Sequence, residues 1–167
     1  MSILSLRKGD NIMKIMDFLS KKSILADLKS TKKEDVIKEL VDLLINAGDL
    51  DKSSRAKVID GLMERESLGS TAIGQGIAIP HAKSECVSKL VGAFALSKKG
   101  VDFDSLDGEP VYIFFLLIAA QDSAGPHLKA LARISRLFKD KYFRDNLRNC
   151  QDEKSIIKVI TQEDEKI

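Results

Sequence analysis

Residues Val111-Tyr-Ile-Phe-Phe-Leu-Leu-Ile-Ala-Ala120 form the longest apolar run in the chain, and an extended segment here would be apolar on both faces. A membrane helix needs about 20 such residues, so the run is too short to span a bilayer and reads as a buried strand. A strand of this kind belongs in the middle of a sheet with helices on either side, because a half-exposed strand would alternate with polar residues. The flanking sequence supplies the helices. Thr31-Lys-Lys-Glu34 has the spacing of a capping box, and Val36, Ile37, Leu40, Val41 and Leu44 mark a buried helical stripe that Gly48 would end. A second helix is expected over 54–65, burying Val58, Ile59, Leu62 and Met63. A third should begin near Pro126 or His127 and include Leu128, Leu131, Ile134 and Leu137 or Phe138, with two shorter helices within 142–149 and 152–161. Further strands are expected at 24–28, 77–79 and 90–96. Strands interspersed with helices give a layered α/β domain.

A chain of 167 residues without internal repetition or a long polar linker fits one such domain. It is expected over 14–162, preceded by an N-terminal extension (1–13) without periodicity and followed by a C-terminal tail (163–167). The hydrophobic share of 44% is ample for a core. The 27 basic and 25 acidic residues nearly cancel, which argues against nucleic acid or an anionic membrane as the main partner. Cys86 and Cys150 show neither CxxC spacing nor the density of a disulfide scaffold, and the N-terminus lacks a continuous apolar signal region. A cytoplasmic location with reduced thiols is the expectation.

One of the two histidines follows a glycine-rich turn and a short strand, in Gly74-Gln-Gly-Ile-Ala-Ile-Pro-His81. Gly74 and Gly76 allow backbone geometry that a side chain would obstruct, while Pro80 fixes its own φ and biases Ile79 toward an extended conformation. His81 therefore leaves the strand in a defined direction, where an imidazole could act as base, metal ligand or covalent nucleophile. The other histidine, His127, follows Pro126 at an expected helix start, where free N–H groups and the helix dipole favour an anion. Dispersed histidines and cysteines make a structural zinc site unexpected, and neither a G-x-S-x-G turn nor a Walker-type loop is present. Lys129, Arg133 and Arg136 read as the solvated side of the third helix, and Lys83 as a solvated neighbour of His81.

Two longer segments, Arg65-Glu-Ser-Leu-Gly-Ser-Thr71-Ala-Ile-Gly-Gln-Gly-Ile-Ala-Ile-Pro-His81 and Gly125-Pro-His127-Leu-Lys-Ala-Leu-Ala-Arg-Ile-Ser135, resemble the enzyme IIA domains of the fructose/mannitol family in the bacterial phosphotransferase system. Within that family the second segment looks most like the nitrogen-regulatory enzyme IIA. The resemblance covers about residues 16 to 160 and implies a central mixed sheet flanked by helices on both faces. It also implies that His81 accepts a phosphoryl group from HPr or a nitrogen-branch HPr-like carrier, with His127 in a supporting role. Arg65 would hold a phosphate or align a backbone carbonyl, and Thr71 would donate to a phosphoryl oxygen. No metal or other cofactor is implied, since in-line positioning and hydrogen-bond donors carry most of the catalysis in such a transfer. Gly74-Gln75-Gly76 replaces the Gly-Asn-Gly of many members, and Ala119-Ala120-Gln121 stands where a proline and glutamate often follow the central strand. Neither departure removes a histidine. The onward step is expected to be regulation of partner proteins by phosphorylation state, a reading favoured by the absence of attached IIB or IIC segments. The alternative is transfer to a fructose- or mannitol-type enzyme IIB in sugar transport.

Overall fold

A computed structural model describes residues 12–167; most of the expected N-terminal extension therefore lies outside the described residues. A 3-10 turn at Ile15–Asp17 leads into β1 (Leu19–Leu25), α1 (Lys33–Asn46), a second 3-10 turn at Lys52–Ser54 and α2 (Arg55–Ser67). Three short strands follow, β2 (Ala72–Gly74), β3 (Ile77–Ala78) and β4 (His81–Ser84), and then two long ones, β5 (Val91–Val101) and β6 (Val111–Ala120). The chain ends with α3 (Ala124–Leu137), α4 (Lys141–Arg148) and α5 (Glu153–Asp164).

The six strands form one mixed sheet in the order β1-β5-β6-β3-β2, with β4 also paired to β6. β6 is central, as its composition requires. Its Phe114, Leu116 and Ile118 pack with the apolar stripes of α1 and α2, including Ile37, Leu40 and Leu62. The alternate residues Ile113, Phe115 and Leu117 enter a second core with Ile134 of α3, Phe143 of α4 and Ile156 of α5. The period of two in a strand thus separates one unbroken apolar run into two cores.

Several local expectations shift for identifiable reasons. β1 starts at Leu19, well before the predicted 24–28, because its Ser20-Lys-Lys-Ser23 stretch hides the pattern. It is an edge strand, and exposed lysines at an edge discourage pairing with another chain. The Thr31/Glu34 capping box does not form: Lys32 is the N-cap of α1, without a side-chain cap bond, and Glu34 pairs with Lys38 at 3.5 Å. Gly48 does end that helix, taking the left-handed conformation at φ 82° while its N–H reaches the carbonyl of Ile45 at 3.0 Å.

α5 continues two residues into the stretch expected as a tail, and its Asp164 is buried. One Asp164 carboxylate oxygen accepts the N–H of Ile15 at 2.6 Å, and the other accepts Arg133 Nε at 2.6 Å. Arg133 also donates to the Asp164 carbonyl at 2.9 Å. The basic stripe predicted on α3 is therefore not wholly solvated: Arg133 turns inward to join the N-terminal 3-10 turn, α3 and α5. Removing one partner of a buried pair strands the other charge, so Asp164→Ala should cost about 3–5 kcal/mol of unfolding free energy. Urea denaturation checks this, and a loss below about 1 kcal/mol would reduce the cluster to an exposed-pair contribution.

Candidate functional site

The site is built at the point where β3 becomes β4. Both strands run parallel to β6 in one continuous register, with Ile77 opposite Ile113 and His81 opposite Leu117. Pro80 sits between them and has no N–H to contribute, but its carbonyl accepts the Leu117 N–H at 2.9 Å. The hairpin that delivers this strand turns through Gln75 and Gly76, with φ of 60° and 78°. Positive φ at both turn positions is the signature of the tight turns that match strand twist, and Gly76 meets it without Cβ strain. The Gln75 N–H is held by Asp107 at 3.0 Å.

His81 is the first residue of β4 and half-buried. Its Nδ1 lies 2.7 Å from the carbonyl oxygen of Ile79. A carbonyl can only accept, so Nδ1 carries the proton and the neutral ring keeps its lone pair on Nε2. The strand geometry thus selects the tautomer as well as the position.

The two histidines meet, with ring centroids 5.5 Å apart and the planes tilted by 48°. α3 starts at Ala124, slightly before the predicted start near Pro126 or His127, so the His127 N–H is already used on the Ser123 carbonyl at 3.3 Å. The contribution of His127 to the site is its ring. His127 is 7% exposed, and its Nδ1 is buried without a hydrogen-bond partner. Burial above all, and then the nearby charges of His81 and Lys83, push its pKa down from the usual histidine value, favouring the neutral imidazole.

Arg65 stands in the last turn of α2, which packs against β4. Its Nη1 donates to the carbonyl oxygen of Gly69 at 2.8 Å. Thr71 is placed differently from the sequence expectation. It is 4% exposed, and its hydroxyl is hydrogen-bonded to the carboxylate of Glu66, so the geometry directs that donor into the protein. Sequence reasoning passed over Glu66, the carbonyl of Ile79 and the influence of Lys83. A signal for Glu66 was present: it falls on the helical stripe of Val58, Ile59 and Leu62, where a carboxylate needs a buried partner. The Ile79 carbonyl carries no side-chain signature.

No helix among the described residues is long and apolar enough to cross a membrane, and no group of three or more His, Cys, Asp or Glu there could hold a metal ion. Residues 17–163 match the family model described as phosphoenolpyruvate-dependent sugar phosphotransferase system, EIIA 2. The chain is 41% identical over 152 residues to the PTS system fructose-specific EIIABC component of Bacillus subtilis, aligning with 91% of this chain but 24% of that much longer protein. It is 39% identical over 148 residues to the nitrogen regulatory protein of Bradyrhizobium diazoefficiens, covering 89% of this chain and 95% of that one. The crystal structure of nitrogen regulatory protein IIA-Ntr from Neisseria meningitidis superposes with a TM-score of 0.79 at 32% identity, over 87% of this chain and 98% of that one. With the family model spanning nearly the whole sequence and the same fold in a solved relative, the chain belongs to the EIIA 2 family of the phosphoenolpyruvate-dependent sugar phosphotransferase system.

Proposed function

We propose that this phosphocarrier uses His81 as its phosphoryl acceptor, taking the group from HPr or an HPr-like carrier of the nitrogen branch. The observation that carries the reading is the Nδ1 hydrogen bond to Ile79, which leaves Nε2 as the nucleophilic atom of a half-exposed ring beside a second histidine. The Nε2 lone pair attacks phosphorus in line, and the bond from phosphorus to the donor atom breaks with its electron pair returning to the donor. No proton has to move on this protein. Nδ1–H stays on the Ile79 carbonyl, which stabilises the positive charge that the ring gains.

His127 supports the transfer from the side. Leaving a buried Nδ1 as a bare acceptor costs less than burying an unpaired N–H, which puts the ring proton on Nε2 as a donor for a phosphoryl oxygen. Arg65 braces the Gly69 turn that precedes Thr71. Thr71 serves the site through its loop, since its hydroxyl is engaged by Glu66.

For the onward step, the near full-length similarity to a nitrogen regulatory protein supports control of partner proteins by phosphorylation state. The similarity to a fructose-specific EIIABC component supports the second reading, transfer to an enzyme IIB. A phosphoryl group brings roughly −1.5 to −2 charge at neutral pH, enough to change an interface at His81 without rearranging the domain. Protein prephosphorylated by enzyme I and carrier should bind its regulatory partners with a different affinity from the unphosphorylated form. Capture on each form followed by affinity measurement tests this. Equal affinities combined with rapid transfer to a sugar-specific enzyme IIB would establish the transport role instead.

A further inference from the structure

The buried carboxylate of Glu66 has no place in the transfer described so far. Its side chain is 2% exposed, and one oxygen lies 3.0 Å from Lys33 Nζ of α1. That ammonium also sits 4.8 Å above the ring of Phe103 and 3.4 Å from the exposed carboxylate of Asp104. The same oxygen accepts the Thr71 N–H at 3.1 Å, and the other is hydrogen-bonded to the Thr71 hydroxyl. Thr71 is thereby held at both its backbone and its side chain. Its own carbonyl accepts the N–H of Ile79 at 3.1 Å, at the break between β3 and β4. The other end of Ile79, its carbonyl, is what holds His81 Nδ1.

We propose that Glu66 is a positioning residue for His81, acting through Thr71 and the two backbone groups of Ile79 to fix the Nδ1–H tautomer. The inference rests on His81 as the acceptor only for its kinetic consequence; the tautomer belongs to the unphosphorylated protein. Pairing with β6 holds the strand on either side of Ile79-Pro80, whereas the Ile79 N–H is satisfied by Thr71. The Ile79 N–H and carbonyl lie in successive peptide planes joined at its Cα, so a change in the Ile79 φ and ψ on release of the N–H would carry the carbonyl away from the ring and release the proton to either nitrogen. Glu66 is well suited to prevent this, because its two oxygens fix Thr71 in position and orientation while Lys33 balances the charge. Glutamine could keep both contacts, accepting the Thr71 N–H through its oxygen and donating its amide N–H to the Thr71 hydroxyl, whereas methionine keeps the approximate shape and offers Thr71 neither.

The test uses protein with 15N-labelled histidine, unphosphorylated, at mildly alkaline pH, where correlations between ring nitrogens and ring protons distinguish an N–H from a bare nitrogen. The wild type should show His81 as Nδ1–H alone. Glu66→Met and Thr71→Val should both show nitrogen shifts averaged between the two tautomers, whereas Glu66→Gln and Thr71→Ser, which retain the contacts at the hydroxyl, should keep the wild-type pattern. The rate of phosphoryl acceptance should fall roughly ten- to hundredfold in Glu66→Met, in keeping with loss of a group that orients a reacting side chain. If Glu66→Met does not fold, the two Thr71 variants decide the matter. An unchanged Nδ1–H signature in the folded Glu66→Met and Thr71→Val proteins would overturn the proposal and leave β6 pairing as the sole determinant. Failure of the wild type to accept phosphoryl groups would instead remove the proposed function, with the tautomer comparison still standing.

Discussion

A His81→Ala protein incubated with phosphoenolpyruvate, enzyme I and an HPr-type carrier should remain at background, while the wild type gains a single acid-labile phosphoryl group. The loss should be complete because the chemistry needs an accessible imidazole lone pair, and the only other imidazole belongs to the buried His127. The fold should survive the change. His81 is half-buried, and the bond to Ile79 is worth about 1 kcal/mol net, a modest part of the stability of a domain with two apolar cores. Intact-mass measurement under alkaline conditions checks the stoichiometry, and fragmentation checks the position. Undiminished labelling of folded His81→Ala protein would rule out this histidine as the acceptor.

Substitution of His127 should give a different phenotype, with the label still on His81 but formed slowly. Removal of one preorganised donor to developing negative charge costs about 10²–10³ in rate, and His127→Ala should fall in that range. Rapid mixing with prephosphorylated carrier measures it; a rate within a factor of about two of wild type would remove the supporting role. The same residue should imprint a pH dependence on stability. Its folded pKa lies below the unfolded value of about 6.5, so the unfolded chain binds more protons in the window between the two. This contribution to stability is fully present above about pH 6.5 and declines on acidification until the folded pKa is passed. His127→Gln should flatten that part of the profile, as followed by urea denaturation across the window. Phosphorylation of His81 should move the His127 titration upward, since a phosphoryl dianion beside the ring favours the imidazolium.

The sheet's central strand was legible because ten consecutive apolar residues leave few alternatives, and the Gly-Gln-Gly turn because its two glycines permit backbone geometry that a side chain would obstruct. The apolar stripes of α1 and α2 were legible for the same reason of periodicity, and the Pro-His motif singled out His81. Such signals are local, each confined to one element. The pairing of His81 with His127 came only from the tertiary structure, because parallel pairing of β4 with β6 brings the far end of β6, and with it the start of α3, beside the ring. The third dimension also gave Arg133 to Asp164 and Thr71 to Glu66, since a side chain's partner across elements depends on packing that no sequence spacing encodes. The tautomer of His81 was decided there as well, by a carbonyl of Ile79 whose direction depends on the backbone path into Pro80, which no spacing of residue types encodes.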